Sequence, residues 1–555
     1  MITGEKVDVY RDYDLFSQIP EMEERLLEIR TLLETAADRL KEITGEKSGS
    51  NYSVIMNMVE VINQMLENKF DAHRYKDYYY TNYCSVSSVL QELRSMPLDL
   101  DRIVLMKAGE KNPFEKVSFW EKLSFSIRRF IASFRRDYNG VSDTQSAEKE
   151  NITIWVNWGR DQAQVLSSLV KRSFTPETGI NVNIELTNAS IIQATLSGNG
   201  PDCVLQQSRS EPVNLAMRGV LYDLSQFEDC DEVLERFQPG AETPYRYEEG
   251  LYALPDTQTF YMMFYRKDIF EQSGWKVPET WEEFQEISKL LMRNNMSVWM
   301  PNNAATDPAQ VNAGVGSNNI FPSLLLQQGL SLYTEDGRNT TLLSSDSMET
   351  FEYWTDYYTK LKFPVTLDFY NRFRVGTTPL GIVPYTMYTT FKVAAPEIDG
   401  LWGMTVIPGT VQEDGGVSHA SSGGGTGCGI LKSSKNPKAS WEFLKWWTSA
   451  DTQRTFSNDV ESILGPSGRV PLANVEAILG LSWDDGMADE LARAWEEVVE
   501  IPEYPGSYYV SRSIYQSFWN VVNDHQNTKN MLMKYGKEAN QEMERKWKQY
   551  QQRGE

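Results

Sequence analysis

Apolar positions recur at helical spacing through the first part of the chain. Met22, Leu26, Ile29, Leu33, Ala36 and Leu40 stand three or four residues apart with charges between them, which predicts a helix over 21–43. Pro20 suits its first turn. The same period runs over 54–70 and 75–93, with a polar loop at 45–50 and a break at Met96-Pro97. Over 114–138, Val117, Trp120, Leu123, Ile127, Phe130, Ile131 and Phe134 form one stripe, with Lys116, Lys122, Arg128, Arg129, Arg135 and Arg136 mostly off it. Such a helix packs on neighbouring helices or makes a protein or membrane-surface contact, and both readings stand. "NGVSDTQSAEKEN", 139–151, is polar and reads as a linker.

Beyond the linker the rhythm changes. "ITIWVNW" (152–158), "INVNIEL" (180–186) and "PDCVLQ" (201–206) read as short strands, and 162–174 between the first two as a helix. Alternating strands and helices predict an α/β domain with a mostly parallel sheet covered by helices. With 555 residues and 41% apolar content, the chain is too long for one ordinary domain. The expected division is a helical region 1–138, a linker 139–150 and an α/β domain 151–555.

Charge and chemistry narrow the picture by exclusion. Seventy-seven acidic against 54 basic residues give a net charge of −23, which excludes a nucleic-acid partner. Fifteen Trp and 28 Tyr are enough to line a sugar site as well as a core. Cys84, Cys203, Cys230 and Cys428 form no CxxC pair, and three histidines are too scattered for a metal centre. Cys203 and Cys230 are free thiols or a bridge. Asp229, Asp231 and Glu232 match no calcium loop. No nucleophile elbow, zinc-protease motif or phosphate loop is present, and no carboxylate pair is singled out for glycoside cleavage. No cofactor and no metal is expected. The glycine-rich "HASSGGGTGCG", 419–429, reads as a tight crossing where backbone approaches a ligand or another segment. No apolar run of membrane-spanning length appears, and the first residues do not read as a signal peptide.

Seven phrases then occur in a fixed order: "ITIWVNWGRDQAQ", "GPDCVLQQ", "LAMRGVLYDLS", "GLYALPDTQTFYMMFYRKDIFEQSGWKVPETWEEFQEISKLL", "FRVGTTPLGIVPY", "WGMTVIPG" and "ILKSSKNPKASWEFLKWWTSADTQ". Together they resemble the extracellular solute-binding proteins of ABC importers, in the carbohydrate-binding group related to maltodextrin-binding protein. The chain departs from that pattern at Arg266, where the family has Asn, and at Gly381-Ile382-Val383, where a Met is usual. No lipoprotein cysteine stands near the start, and residues 1–150 lie outside the resemblance.

The resemblance implies a two-lobed, periplasmic-binding-protein-like (type II) α/β fold with an extra N-terminal all-α region. Lobe 1 would take about 151–258 and 378–428, and lobe 2 about 259–377 and 429–555. It implies an oligosaccharide ligand in the interlobe cleft, hinge closure, and delivery to the permease subunits of an ABC importer. It also implies an extracellular, cell-surface-anchored protein whose targeting and anchor segment is not in this chain. A carbohydrate-active enzyme, or a binding protein for a non-sugar ligand such as a peptide, remains the alternative. Loops at strand ends supply the expected ligand contacts. These are Trp158, Arg160 and Asp161; Gln207; Asp256 and Gln258; Asn302 and Asn303; Tyr385; Ser422 and Gly424; Tyr509 and Arg512. Trp158, Tyr385 and Tyr509 suit stacking on a pyranose face, and the amides and charges suit vicinal hydroxyls. Trp275, Trp281, Trp354, Trp441, Trp446 and Trp447 sit at helix spacings and are expected in the core.

Overall fold

The structure is a computed structural model that describes residues 14–44, 50–67, 69–70, 72–95, 150–187, 189–302 and 319–554. Internal contacts divide the chain into two compact units, Met1–Phe119 and Trp120–Glu555. The amphipathic stripe at 114–138 and the linker lie outside the described residues.

In the first unit, the helices Met22–Thr44, Ser50–Glu67 and Lys76–Ser95 follow the three expected apolar periods. Leu26, Met58, Val61, Ile62 and Met65 interdigitate as their shared core. Glu23 and Glu24 in the first turn of Met22–Thr44 complement its dipole.

The second unit holds two sheets. The first has five strands in the order Asn181–Leu186, Asn151–Val156, Cys203–Ser208, Gly424–Ile430, Leu254–Thr259. Its first three strands are parallel and its last two pairings antiparallel. The second sheet orders Trp402–Thr405, Tyr261–Arg266, Leu380–Pro384, Val298–Trp299. Helices cover both, as the sequence rhythm predicts, but the sheets are mixed rather than mostly parallel, because the strands that cross between the lobes pair antiparallel with their neighbours. Thr280 starts the helix Trp281–Arg293 with a full capping box to Glu283, so "PETWEEF" builds the element it resembles.

The division between lobes differs from the expected one. Strands Leu380–Pro384 and Trp402–Thr405 flank Tyr261–Arg266, with Tyr261 opposite Pro384 and Met404 opposite Phe264. Residues 378–405 therefore belong with the second lobe. Helices Pro437–Trp447 and Ala450–Leu464 pack on the first instead: Phe443 meets Phe174 edge-on at 5.5 Å and Phe456 stacks on Trp158 at 5.1 Å. The chain returns to the second lobe with Ser507–Val522, whose Val510, Ile514 and Phe518 join Phe351 and Trp354 in its core. Trp281, Trp354, Trp441 and Trp447 are buried as expected, and Trp275 and Trp446 are half-buried.

Two departures from the family pattern find local roles. Arg266 is buried, bonds Asp268 at 2.7 Å and donates to the carbonyls of Phe373 and Arg374, closing off the end of its strand. Gly381 leaves room for the Phe369 ring, which any Cβ there would strike. Cys203, Cys230 and Cys428 are free and buried. Asp229 accepts from Trp441 Nε1 and Lys445 Nζ, both at 2.7 Å, and so anchors a helix. No metal-holding group of His, Cys, Asp and Glu occurs among the described residues, and no described helix is long and apolar enough to cross a membrane.

Candidate functional site

Register decides which residues reach the cleft together. Ile154 pairs with Cys203 and Trp155 with Val204. Counting on along these parallel strands, Trp158 and Gln207 leave the sheet at the same level, at its carboxyl end. That is where open α/β sheets place ligands. Gln207 in turn lies opposite Gly427, and Gln258 opposite Gly425 on the same strand. Sequence positions far apart thus share one floor.

Gln207 is 1% exposed, and neither its Oε1 nor its Nε2 has a protein partner. Gln258 donates through Nε2 to Glu500 Oε1 at 2.8 Å, leaving its Oε1 unpaired. Trp158 is half-buried between Phe456 and Trp447, with its Nε1 also unpaired. Beside them Gln206 holds a left-handed backbone, φ 52°, because its N–H is drawn to Asp256 Oδ2 at 2.9 Å.

Asp256 accepts a second bond, from Trp447 Nε1 at 2.8 Å, so both carboxylate oxygens are taken by the protein. Burial pushes its pKa up to about 6, against the two bonds that lower it. Tyr385 is buried too. Its hydroxyl donates to Gln258 O at 3.0 Å while its ring packs on Phe260 and Trp495. Ser422 bonds Ser323 through its N–H, at 2.9 Å, and Asn302 donates to Val365 O at 2.9 Å. Asp256, Tyr385, Ser422 and Asn302 are thus each buried and bonded to other parts of the protein.

Three crossings join the lobes. Phe260 alone separates the strand Leu254–Thr259 of the first sheet from Tyr261–Arg266 of the second. The glycine-rich segment returns to the first sheet at Gly424, beside the third crossing, where Ser421–Ser422 pairs with Val498–Val499. A Cβ on Gly425, φ 156°, would collide with Thr257 O, and one on Gly423 with Glu500. The glycines are thus the tight crossing that the sequence suggests.

Arg209, which the sequence reading did not select, ties these crossings together. It is 2% exposed, bonds Glu500 and the carbonyls of Ile501 and Gly423, and forms an ion pair with Glu503 at 3.4 Å. Burial opposes its charge, but Glu500 and Glu503 outweigh burial and raise its pKa. Burial likewise raises that of Glu503, against the Arg209 charge. Glu500 links this cluster to Gln258.

Three of the remaining expected contacts, Arg160, Asp161 and Arg512, lie at the surface. Arg160 and Asp161 are exposed in the first turn of the helix Arg160–Leu169. Arg512 is exposed and lies over the Tyr509 ring at 5.6 Å. Gly424 pairs with Thr259. Asn303 lies outside the described residues.

Comparison with known proteins agrees with this architecture. Residues 170–471, more than half of the 555, match the bacterial extracellular solute-binding proteins. The chain belongs to that family. Residues 1–100 of this solute-binding protein match a bacterial solute-binding protein 4-helix bundle domain, which accounts for the helices that the resemblance left unexplained. A diacetylchitobiose binding protein of Streptomyces coelicolor is 27% identical over 139 residues, 23% of this chain and 27% of its own length. A maltotriose-binding protein of Pyrococcus abyssi is 23% identical over 315 residues, 55% of this chain and 64% of its own. The chain thus spans about a quarter of one relative and just under two thirds of the other. The sugar-binding protein MalE of Xanthomonas citri shares the fold: TM-score 0.59, 18% identity, 72% of this chain and 98% of that one.

Proposed function

We propose that this solute-binding protein captures an oligosaccharide in the interlobe cleft, closes about its three crossings, and delivers the sugar to the permease subunits of an ABC importer. The observation that carries the reading is the grouping of unpartnered Gln207 and Gln258 amide atoms with the half-buried indole of Trp158 at the carboxyl end of one sheet. Neutral donors and acceptors beside an aromatic face suit hydroxyls on a pyranose ring. Both relatives are named for oligosaccharides, which supports the same ligand class. Trp158, Gln207 and Gln258 would make the principal contacts, with Arg160, Asp161, Tyr509 and Arg512 at the rim. The protein acts as a receptor, not an enzyme, at the cell surface and held there by an anchor.

A thermal-shift screen of oligosaccharides, peptides and polyamines tests this. A rise in unfolding temperature with one oligosaccharide class, and recovery of that sugar intact, is expected. A response to peptides alone would sink the carbohydrate reading, and a shortened sugar would turn it toward an enzyme.

A further inference from the structure

The third crossing buries more negative than positive charge. Arg209 follows the strand Cys203–Ser208 of the first lobe, and Glu500 and Glu503 approach it from the crossing. The three side chains are 2%, 5% and 3% exposed. Among the described residues no other cation pairs with either carboxylate. With all three groups ionised, one negative charge would be left out of water. A buried site does not keep such a charge; one of the carboxylates takes up a proton instead.

The bonds decide which one. Glu500 bonds Arg209 Nη1 and accepts from Gln258 Nε2 at 2.8 Å. Nη1 also donates to Gly423 O at 3.1 Å, and Nη2 to Ile501 O. Glu503 reaches Arg209 at Nε alone, at 3.4 Å, and that Nε makes no hydrogen bond. Its other oxygen meets Ser507 Oγ, at the start of the helix Ser507–Val522 of the second lobe. A hydroxyl accepts as well as donates, so a protonated Glu503 keeps that contact.

The other titratable groups around the cluster do not balance it. Tyr333 of the second lobe faces Glu503 and Arg209, and burial holds its hydroxyl neutral. Tyr504 packs on Tyr333 at 5.2 Å, and Asp336 beside it adds only negative charge. Tyr245 faces Glu500 and Arg209 from the first lobe and is also held neutral by burial. Burial, and after it the Glu500 charge, raise the Glu503 carboxyl above its ordinary 4.5, against the pull of Arg209.

We propose that a proton on Glu503 latches the third crossing to the first lobe, and that its loss as pH rises loosens the latch. With the proton in place, Arg209 and Glu500 form a neutral pair. Without it, the surplus charge is relieved by water entering the crossing. Folded Glu503 gives up its proton at higher pH than the opened segment does. The stabilisation is therefore full at low pH and lost as pH rises through the raised value. On the hinge-closing reading proposed above, the lobes move more freely once the proton is gone.

Hydrogen–deuterium exchange of the full chain without ligand, from pH 5.5 to 8.5, tests the latch, with protection corrected for the intrinsic rate at each pH. Ser421 and Gly423 N–H donate to Glu497 O at 2.9 Å and Val499 O at 3.2 Å, so their exchange reports the crossing. Their protection should fall at least threefold across this range in the parent. Glu503→Gln, which cannot ionise, and Glu500→Gln, which leaves one carboxylate for one guanidinium, should each abolish the fall. Asp256→Asn should keep it. A pH-independent protection in the parent, a fall retained in either glutamine variant, or its loss in Asp256→Asn would overturn the proposal. No sugar enters the experiment, so its outcome is separate from that of the carbohydrate reading.

Discussion

A buried polar group without a partner costs about 1–3 kcal/mol, and Gln207 buries two such atoms. Glycine at 429 leaves its Oε1 space on the neighbouring strand. Replacing Gln207 by Leu removes the orphaned amide and keeps most of the volume. We expect Gln207→Leu to be as stable as the parent or about 1 kcal/mol more stable in urea unfolding, and to lose at least tenfold in oligosaccharide affinity. A purely structural glutamine would instead destabilise when replaced and leave affinity unchanged. Asp256 makes the opposite kind of statement. Its ordinary pKa of 3.8 rises to about 6 in the fold. Between those values the folded chain holds a proton that the unfolded chain has released. The stability from this group is therefore present at low pH and lost as pH rises through 6. From pH 4 to 7 the stability measured by urea unfolding should fall by about 3 kcal/mol more in the parent than in Asp256→Asn.

The crossings are where elements are locked to one another. Arg209 follows the third strand of the first sheet, and Glu500 and Glu503 stand in the third crossing. Truncating one partner of a buried ion cluster leaves the others charged and unpaired, at a cost of about 3–5 kcal/mol. Arg209→Met should lose stability of that order, and adding Glu500→Gln to it should restore part of the loss. The same cluster shows what sequence could not convey. Helices and strands were legible because 3.6- and 2-residue periods are local, and the loops holding Trp158 and Gln207 followed from strand ends. Arg209 and Glu500 are 291 residues apart, with no motif around either. The lobe exchange at 378–405 was hidden for a related reason. Leu380–Pro384 is apolar on both faces, so either sheet could take it, and only its long-range pairing with Tyr261–Arg266 decides. Tyr385 was selected as a stacking ring, but an aromatic at a strand end serves a core equally well, and here it packs on Phe260.

At the level of the whole molecule, the core of Met22–Thr44, Ser50–Glu67 and Lys76–Ser95 is distinct from the cores of the second unit. The ligand contacts proposed above all come from the second unit. Removing residues 1–138 should therefore leave oligosaccharide affinity within about threefold of the full chain in parallel titrations, while changing assembly or surface attachment. The central claim is that the cleft floor at Trp158, Gln207 and Gln258 captures a sugar. Calorimetric titration of the parent and of Gln207→Leu with chito- and malto-oligosaccharides tests it most directly. The account predicts saturable one-to-one binding by the parent and at least tenfold weaker binding by the variant. Equal affinities for parent and variant, or no saturable binding of any oligosaccharide by the parent, would contradict it.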